Sequence, residues 1–202
     1  MRIVETKVYQ FSELSDQAKD NVRSYYRRQR LDDRWWDSVL EDFASVAGHL
    51  GYEAKADRVF FSGFSSQVDG ACFEGTFRSE NVSLKALISY APQDAELLRI
   101  GNALTSFVQD HPRWYATIKH HGRHTHEYET EFTCEELNVE NEDATTAEHE
   151  TEFTEISRDL MRWLYKQLHA RYEYLQADDA IAEYIEAHAY EFTENGKHLE
   201  GQ

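Results

Sequence analysis

The stretch FSGFSSQVDGACFEGTF, residues 61–77, joins two segments that have the character of β-strands. Residues 58–63 and 71–78 are apolar and aromatic-rich, and the residues between them are mostly glycine, serine and other turn formers. This pattern predicts a β-hairpin whose loop is longer than a tight turn. We expect four phenylalanines of this stretch to fix the hairpin to the core: Phe61, Phe64, Phe73 and Phe77.

The loop of this hairpin is rich in glycine, yet it lacks the chemistry of a phosphate site. Such a site uses the N-terminus of a helix and usually a basic side chain, whereas this loop lies between strands and has no Lys or Arg from residue 59 to 77. Cys72 and Ser66 have no partner base that the sequence identifies, so neither is predicted to be a nucleophile. Gly63 and Gly70 permit tight backbone geometry, and Asp69 can accept hydrogen bonds from loop amides. We therefore expect a structural role.

The remaining periodicities predict an α+β fold. Apolar residues at helical spacing predict a helix that contains Leu14, Ala18, Val22 and Tyr25 and a long helix near 152–175. A second hairpin is expected over residues 113–132. The fold class is thus a small, mostly antiparallel sheet made of two hairpins and packed by several helices. We expect a single domain over residues 1–202, with an acidic hairpin and loop at about 124–151.

The second hairpin is predicted to turn at residues 121–123. A three-residue loop pairs Ile118 with His126 and keeps the two faces of the hairpin chemically distinct. One face would then carry Trp114, Ile118, Tyr128 and Phe132, and the opposite face would carry Glu127, Glu129 and Glu131.

The composition excludes several classes of function. The chain of 202 residues has 21 Lys and Arg against 38 Asp and Glu, a net charge of −17. This charge repels nucleic acid and anionic membranes and attracts basic partners, so direct DNA binding is not expected. No apolar run reaches the roughly 18 residues of a membrane span, and no signal peptide is apparent. The two cysteines fit no disulfide framework, which is typical of reduced thiols in a cytoplasmic protein.

The acidity is concentrated in residues 127–155, which contain twelve acids and no Lys or Arg. Carboxylates at alternate positions of a strand lie about 7 Å apart along one face and can approximate the charge track of DNA. This pattern predicts a surface for a basic partner, formed by Glu127, Glu129, Glu131, Glu135, Glu136, Glu140, Glu142 and Asp143. Two alternatives stay open, namely a face that only confers solubility and an adaptation to a saline host.

A histidine cluster at the hairpin tip gives a second hypothesis of a different class. In the predicted register His120 lies opposite His124, with His126 on the same face. Three imidazoles in this arrangement can bind zinc and leave one coordination position open. The alternative function is therefore a small metal-binding protein or metal-assisted enzyme, although a solvated, metal-free tip is also compatible with the sequence.

The pattern F-S-G-F-x-S-Q-x-D-G-A-C-F-x-G resembles a motif of uncharacterised proteins from tailed bacteriophages and prophages. Two further stretches of the chain support the resemblance: W-W-D-S-V-L-E-D-F, which starts at residue 35, and Y-E-F-T-E-N-G-K, which ends at residue 197. Val68 stands where those proteins usually have glycine, so a glycine-specific role at that position is not expected. The resemblance implies a phage or prophage setting and no catalytic residue.

These observations together predict a phage-encoded, non-enzymatic inhibitor without cofactors. Its partner would be a basic, nucleic-acid-binding host protein or complex, reached by DNA mimicry as in antirestriction and anti-CRISPR proteins. The long helix around Trp163 leaves a homodimer open as well.

Overall fold

The computed structural model describes residues 7–29, 31, 34–136 and 147–199. In chain order the elements are β1 (Tyr9–Gln10), a 3-10 turn (Phe11–Glu13), α1 (Asp16–Gln29), α2 (Asp37–His49), β2 (Leu50–Phe61), β3 (Ala71–Val82), α3 (Leu84–Tyr90), α4 (Ala95–Asp110), β4 (Trp114–His120), β5 (Thr130–Glu136), α5 (Ala147–Gln176), α6 (Asp178–Ala187) and β6 (Glu191–Phe192). The chain contains two compact units, residues 37–169 and residues 1–36 with 170–202. The expectation of a single domain stays a prediction.

The larger unit contains a four-stranded sheet in the order β2-β3-β4-β5, and every neighbouring pair is antiparallel. The sheet thus consists of two hairpins joined through β3 and β4, which confirms the predicted α+β class. Both strands of the first hairpin are longer than predicted, with twelve residues each. The predicted segments 58–63 and 71–78 cover the ends of these strands nearest the loop.

One face of this sheet forms the core of the larger unit. Alternate residues of β4 are buried, namely Trp114, Ala116 and Ile118, as the period of two along a strand requires. Phe153 of α5 packs against this face, with its ring centroid 6.0 Å from that of Trp114. The opposite face of the sheet carries threonines and charged residues.

Helix α5 starts earlier than the sequence predicts. The apolar repeat predicts a helix over residues 152–175, and the helix extends over Ala147–Gln176. Its first turn carries Glu148 and Glu150, which favour a helix N-terminus because they complement the helix dipole. Residues 147–151 therefore belong to the helix and not to the predicted acidic loop.

The smaller unit pairs β1 with β6 and has its own apolar core. Tyr26 of α1, and not the predicted Tyr25, is buried in this core, whereas Tyr25 is 39% exposed. The core residues are Phe11, Leu14, Ala18, Val22, Tyr26, Ile181, Ile185 and Phe192.

Among the described helices of the chain, none combines the length and hydropathy that crossing a bilayer requires.

Candidate partner-binding edge of the sheet

The β4–β5 hairpin carries the predicted acidic surface, but its register differs from the prediction. Ile118 pairs with Phe132 instead of His126. The connection, hereafter the tip loop, therefore covers residues 121–129 and not three residues. Because the shift is an even number of positions, Ile118 and Phe132 still share one face. Tyr128 was predicted on this apolar face, and it lies instead in the tip loop with 60% of its surface exposed.

Contacts with the loop between β2 and β3 explain why the tip loop is long. The Thr125 hydroxyl donates to Ser62 Oγ at 2.8 Å and lies 3.3 Å from the Gly70 carbonyl oxygen. At Gly70 the backbones approach so closely that an added Cβ would lie 2.9 Å from His126 Cα. These tertiary contacts keep residues 124–126 in the loop, although the local sequence pattern predicted that they extend the strand. Contacts of this kind are not visible in the local pattern.

The β2–β3 loop, which carries the F-S-G-F motif, is organised around Asp69. Its carboxylate accepts hydrogen bonds from the backbone N–H groups of Ser65 at 2.9 Å and Ser66 at 2.7 Å. These bonds favour the charged form and lower the pKa of Asp69. From α5, the Tyr165 hydroxyl donates to the Gly63 carbonyl at 2.8 Å. The contacts support the structural role predicted for this loop.

Cys72, which follows this loop, is fully buried. Burial, followed by the charge of Glu74, raises the pKa of its thiol to about 12. The thiolate is the nucleophilic form of cysteine, so at neutral pH Cys72 behaves as a small apolar side chain.

Glu127 is not part of an exposed row of carboxylates, because it is only 8% exposed. Arg162 of α5 donates to its carboxylate at 3.3 Å, and the Nδ1 atom of His126 lies 3.0 Å from it. Arg162 also contacts Asp159 at 2.6 Å. Arg162 was not among the residues predicted from the sequence, although Arg158 and Arg162 are the first basic residues after the acidic tract. Glu127 therefore belongs to a structural ion pair.

Two further predicted residues are also turned partly inward. The Glu136 side chain is 12% exposed and lies 3.6 Å from His111 Nδ1. Glu129 is half-buried in the tip loop, where its carbonyl accepts a hydrogen bond from the His121 N–H at 2.8 Å. Both differ from the exposed positions that were predicted for them.

Glu131 and Glu135 are the predicted residues that lie exposed on the outward face of β5. Glu131 has the cation Lys119 as its cross-strand partner, and His121 Nε2 lies 2.6 Å from its carboxylate. Glu135 is paired with Tyr115, a neutral residue. The Glu135 carboxylate is therefore the less compensated of the two. The last three predicted residues, Glu140, Glu142 and Asp143, lie outside the described residues.

The backbone of β5 adds polar groups to this edge. In an antiparallel pair, residues that exchange hydrogen bonds alternate with residues that do not. His121 and Glu129 lie opposite each other in this register, and the His121 N–H donates to the Glu129 carbonyl, so they form a hydrogen-bonded pair. Every second residue after Glu129 repeats this arrangement, and the odd-numbered residues of β5 therefore bond to β4. The even-numbered residues, such as Phe132 and Cys134, direct their N–H and C=O groups away from β4. Because β5 is last in the sheet order, these groups lie at the sheet's edge.

The structure does not assemble the three histidines as the metal hypothesis requires. His120 pairs with Thr130 and not with His124, its ring stacks on Phe60 at 4.7 Å, and its Nε2 donates to the His124 carbonyl at 2.7 Å. His126 lies beside Glu127, as described above. Across the described ranges, no group of three or more His, Cys, Asp or Glu side chains is arranged to hold a metal ion.

Comparison with known proteins identifies a family and no characterised relative. No curated protein and no solved structure matches the chain significantly. A family defined by a domain of unknown function, DUF8835, matches residues 35–178. The matched span includes the four-stranded sheet with its edge strand β5 and the whole of α5. Because this span covers more than half of the chain, the protein belongs to the DUF8835 family.

Proposed function

We propose that the protein is an acidic interaction protein that blocks a basic, nucleic-acid-binding groove of a host defence complex. The observation that carries the proposal is the exposure of Glu131 and Glu135 on the outward face of β5. The resemblance of the F-S-G-F motif to phage proteins supports a phage-encoded inhibitor. No step of this mechanism needs catalysis or a cofactor.

The two carboxylates suit a groove that binds a phosphate backbone. Residues four apart on a strand are separated by about 13–14 Å, which allows two separate basic side chains to be contacted at once. The outward N–H groups of the edge supply donors between them. A basic groove that binds DNA through its charge would bind this edge through the same cationic side chains.

The net charge of −17 acts at longer range than these contacts. A strongly acidic protein is attracted to a basic groove before contact, which raises the association rate. Added salt screens this attraction. We therefore expect binding to weaken steeply with ionic strength, as nucleic-acid binding at such grooves does.

The first experiment identifies the partner. The tagged protein is used to capture binding proteins from a bacterial lysate, which are eluted with a salt gradient and identified by mass spectrometry. The captured complex is then tested for competition between this protein and the complex's own DNA or RNA. We expect inhibition that excess nucleic acid relieves and that moderate salt abolishes.

A matched pair of variants tests the surface itself. The variant Glu131→Gln/Glu135→Gln removes two charges from the edge, and Glu41→Gln/Glu186→Gln removes two exposed charges elsewhere. We expect the edge variant to inhibit about tenfold less, with most of the loss from Glu135→Gln, and the control to lose less than about twofold. Equal inhibition by the edge variant and the unmodified protein would refute the proposed surface.

A further inference from the structure

The smaller unit contains a cavity of about 500 Å³ that the proposed function does not use. It is lined by Tyr25 of α1 and by the consecutive residues Gly196, Lys197, His198 and Leu199. This volume lies in the range of about 300–1,000 Å³ typical of small-molecule sites. The lining includes the end of the Y-E-F-T-E-N-G-K segment, which has no role in the proposed function.

The backbone wall of the cavity is fixed by hydrogen bonds within this segment. The Gly196 N–H donates to the Thr193 carbonyl at 2.8 Å, and the Lys197 N–H donates to Thr193 Oγ1 at 3.1 Å. Gly196 has a φ of +80°, and an added Cβ would lie 2.5 Å from the carbonyl oxygen of Ala18. The turn is therefore packed tightly on α1. A wall fixed in this way need not reorganise to bind a ligand.

The side-chain wall is aromatic. The Tyr25 ring packs edge-on against Tyr26 at 5.3 Å, and the His198 ring lies 4.7 Å from Tyr190 and 6.0 Å from Tyr26. Tyr26 is 5% exposed, and its hydroxyl has no hydrogen-bond partner within the described part of the chain. Of these rings, Tyr25 and His198 line the cavity together with Leu199. Aromatic rings pack against one another edge-on or offset-stacked, so these side chains can accept an aromatic ring.

One positive charge is placed beside this aromatic wall. From residue 172 to 199 the chain has seven acids and a single Lys or Arg, which is Lys197. Lys197 lines the cavity together with the His198 imidazole. A cation in the lining of a cavity that also has aromatic and apolar side chains favours a ligand that has an apolar body and one anionic group.

We propose that this cavity binds a small aromatic carboxylate, with the ring against Tyr25 and Leu199 and the carboxylate at Lys197 and His198. The site is independent of the acidic edge, because those of its lining residues that the structure describes lie in the smaller unit.

The proposal is tested by NMR titration of the full-length protein with three probes. The probe 4-hydroxybenzoate has both the ring and the charge, 4-hydroxybenzyl alcohol has only the ring, and acetate has only the charge. We expect 4-hydroxybenzoate to give saturable shifts in the backbone amides of residues 196–199. The neutral alcohol should bind about fivefold more weakly, the upper end of what loss of one partly exposed ion pair predicts.

Two variants test whether 4-hydroxybenzoate binds at Lys197. Lys197→Gln should weaken 4-hydroxybenzoate binding by about fivefold, to the level of the neutral alcohol, whereas the exposed control Lys85→Gln should leave it unchanged. Both substitutions replace exposed side chains, so we expect both variants to fold. The proposal is overturned if no saturable shift occurs at these amides, if acetate alone reproduces it, or if both variants bind equally.

Discussion

The acidic tract provides carboxylates to two regions of the larger unit, and the two regions use them differently. At the tip loop, Glu127 is buried in an ion pair with Arg162. On β5, only a few residues further along, Glu131 and Glu135 are exposed to solvent. The residue type is the same and the spacing is regular, so the difference arises from the neighbours that the fold supplies.

This difference shows that acidity in the tract has two physical consequences. A buried carboxylate is stable only with charged or hydrogen-bonding partners, so its removal affects folding. An exposed carboxylate contributes little to stability, so it is free to serve a partner. Stability and binding measurements should therefore separate the two regions, and the comparison of Glu127 with Glu135 below tests that separation directly.

The largest effect on stability is expected at the contact between the β2–β3 loop and the tip loop. In the variant Gly70→Ala, the added Cβ would lie 2.9 Å from His126 Cα, a backbone atom that cannot simply rotate away. We expect a loss of about 1–3 kcal/mol in the free energy of unfolding, the usual cost of overpacking. Urea denaturation monitored by circular dichroism measures this loss.

A glycine without such a contact provides the control. Gly48 lies in α2, and an added Cβ there meets no atom within 4 Å. Gly48→Ala should therefore be neutral or stabilise the protein by up to about 1 kcal/mol, because alanine favours helix. A similar loss of stability in both variants would show that the close contact between Gly70 and His126 does not cause the loss in Gly70→Ala.

An intermediate effect is expected from Glu127→Gln, which compares the two regions directly. The substitution keeps the shape of the side chain but weakens its bonds to Arg162, and we expect a loss of about 1 kcal/mol in unfolding free energy. The same change at Glu135 should alter stability by no more than about 0.5 kcal/mol. Equal losses of unfolding free energy in the two variants would show that the buried carboxylate stabilises the fold no more than the exposed one.

Local pattern predicted the parts of the fold that depend on side-chain periodicity. The long apolar repeat of α5 and the two hairpins were evident, because burial of one face imposes a period on each element. The face of Phe132 was also predicted, since the register differed by an even number of positions. The face of the sheet on which a residue lies was thus predicted more reliably than its exact cross-strand partner.

The parts that were missed depend on contacts between segments distant in the sequence. The length of the tip loop follows from its packing on Gly70 and Ser62, more than fifty residues earlier. The burial of Glu127 follows from Arg162 on α5, 35 residues later. The sequence revealed a charged tract, but which of its carboxylates stay exposed is decided by these neighbours.

The smallest effect concerns Asp69, a partly exposed residue whose carboxylate accepts hydrogen bonds from two backbone amides. Because these bonds lower its pKa in the folded protein, the charged carboxylate stabilises the fold above the ordinary aspartate pKa of 3.8. This contribution is lost as the pH falls through the lower folded value. Asp69→Asn should therefore lower the unfolding midpoint slightly at pH 6, and the difference from the unmodified protein should shrink towards pH 3.

Thermal unfolding of the two proteins at several pH values measures this difference, and Glu135→Gln serves as the control. Glu135 is exposed on β5, so replacing it should change the midpoint little at any pH. If Asp69→Asn also produced no pH-dependent difference, the amide bonds to its carboxylate would contribute nothing to stability. Asp69 would then belong with the exposed carboxylates of β5, and the structural role of this loop would rest on its glycine and aromatic contacts alone.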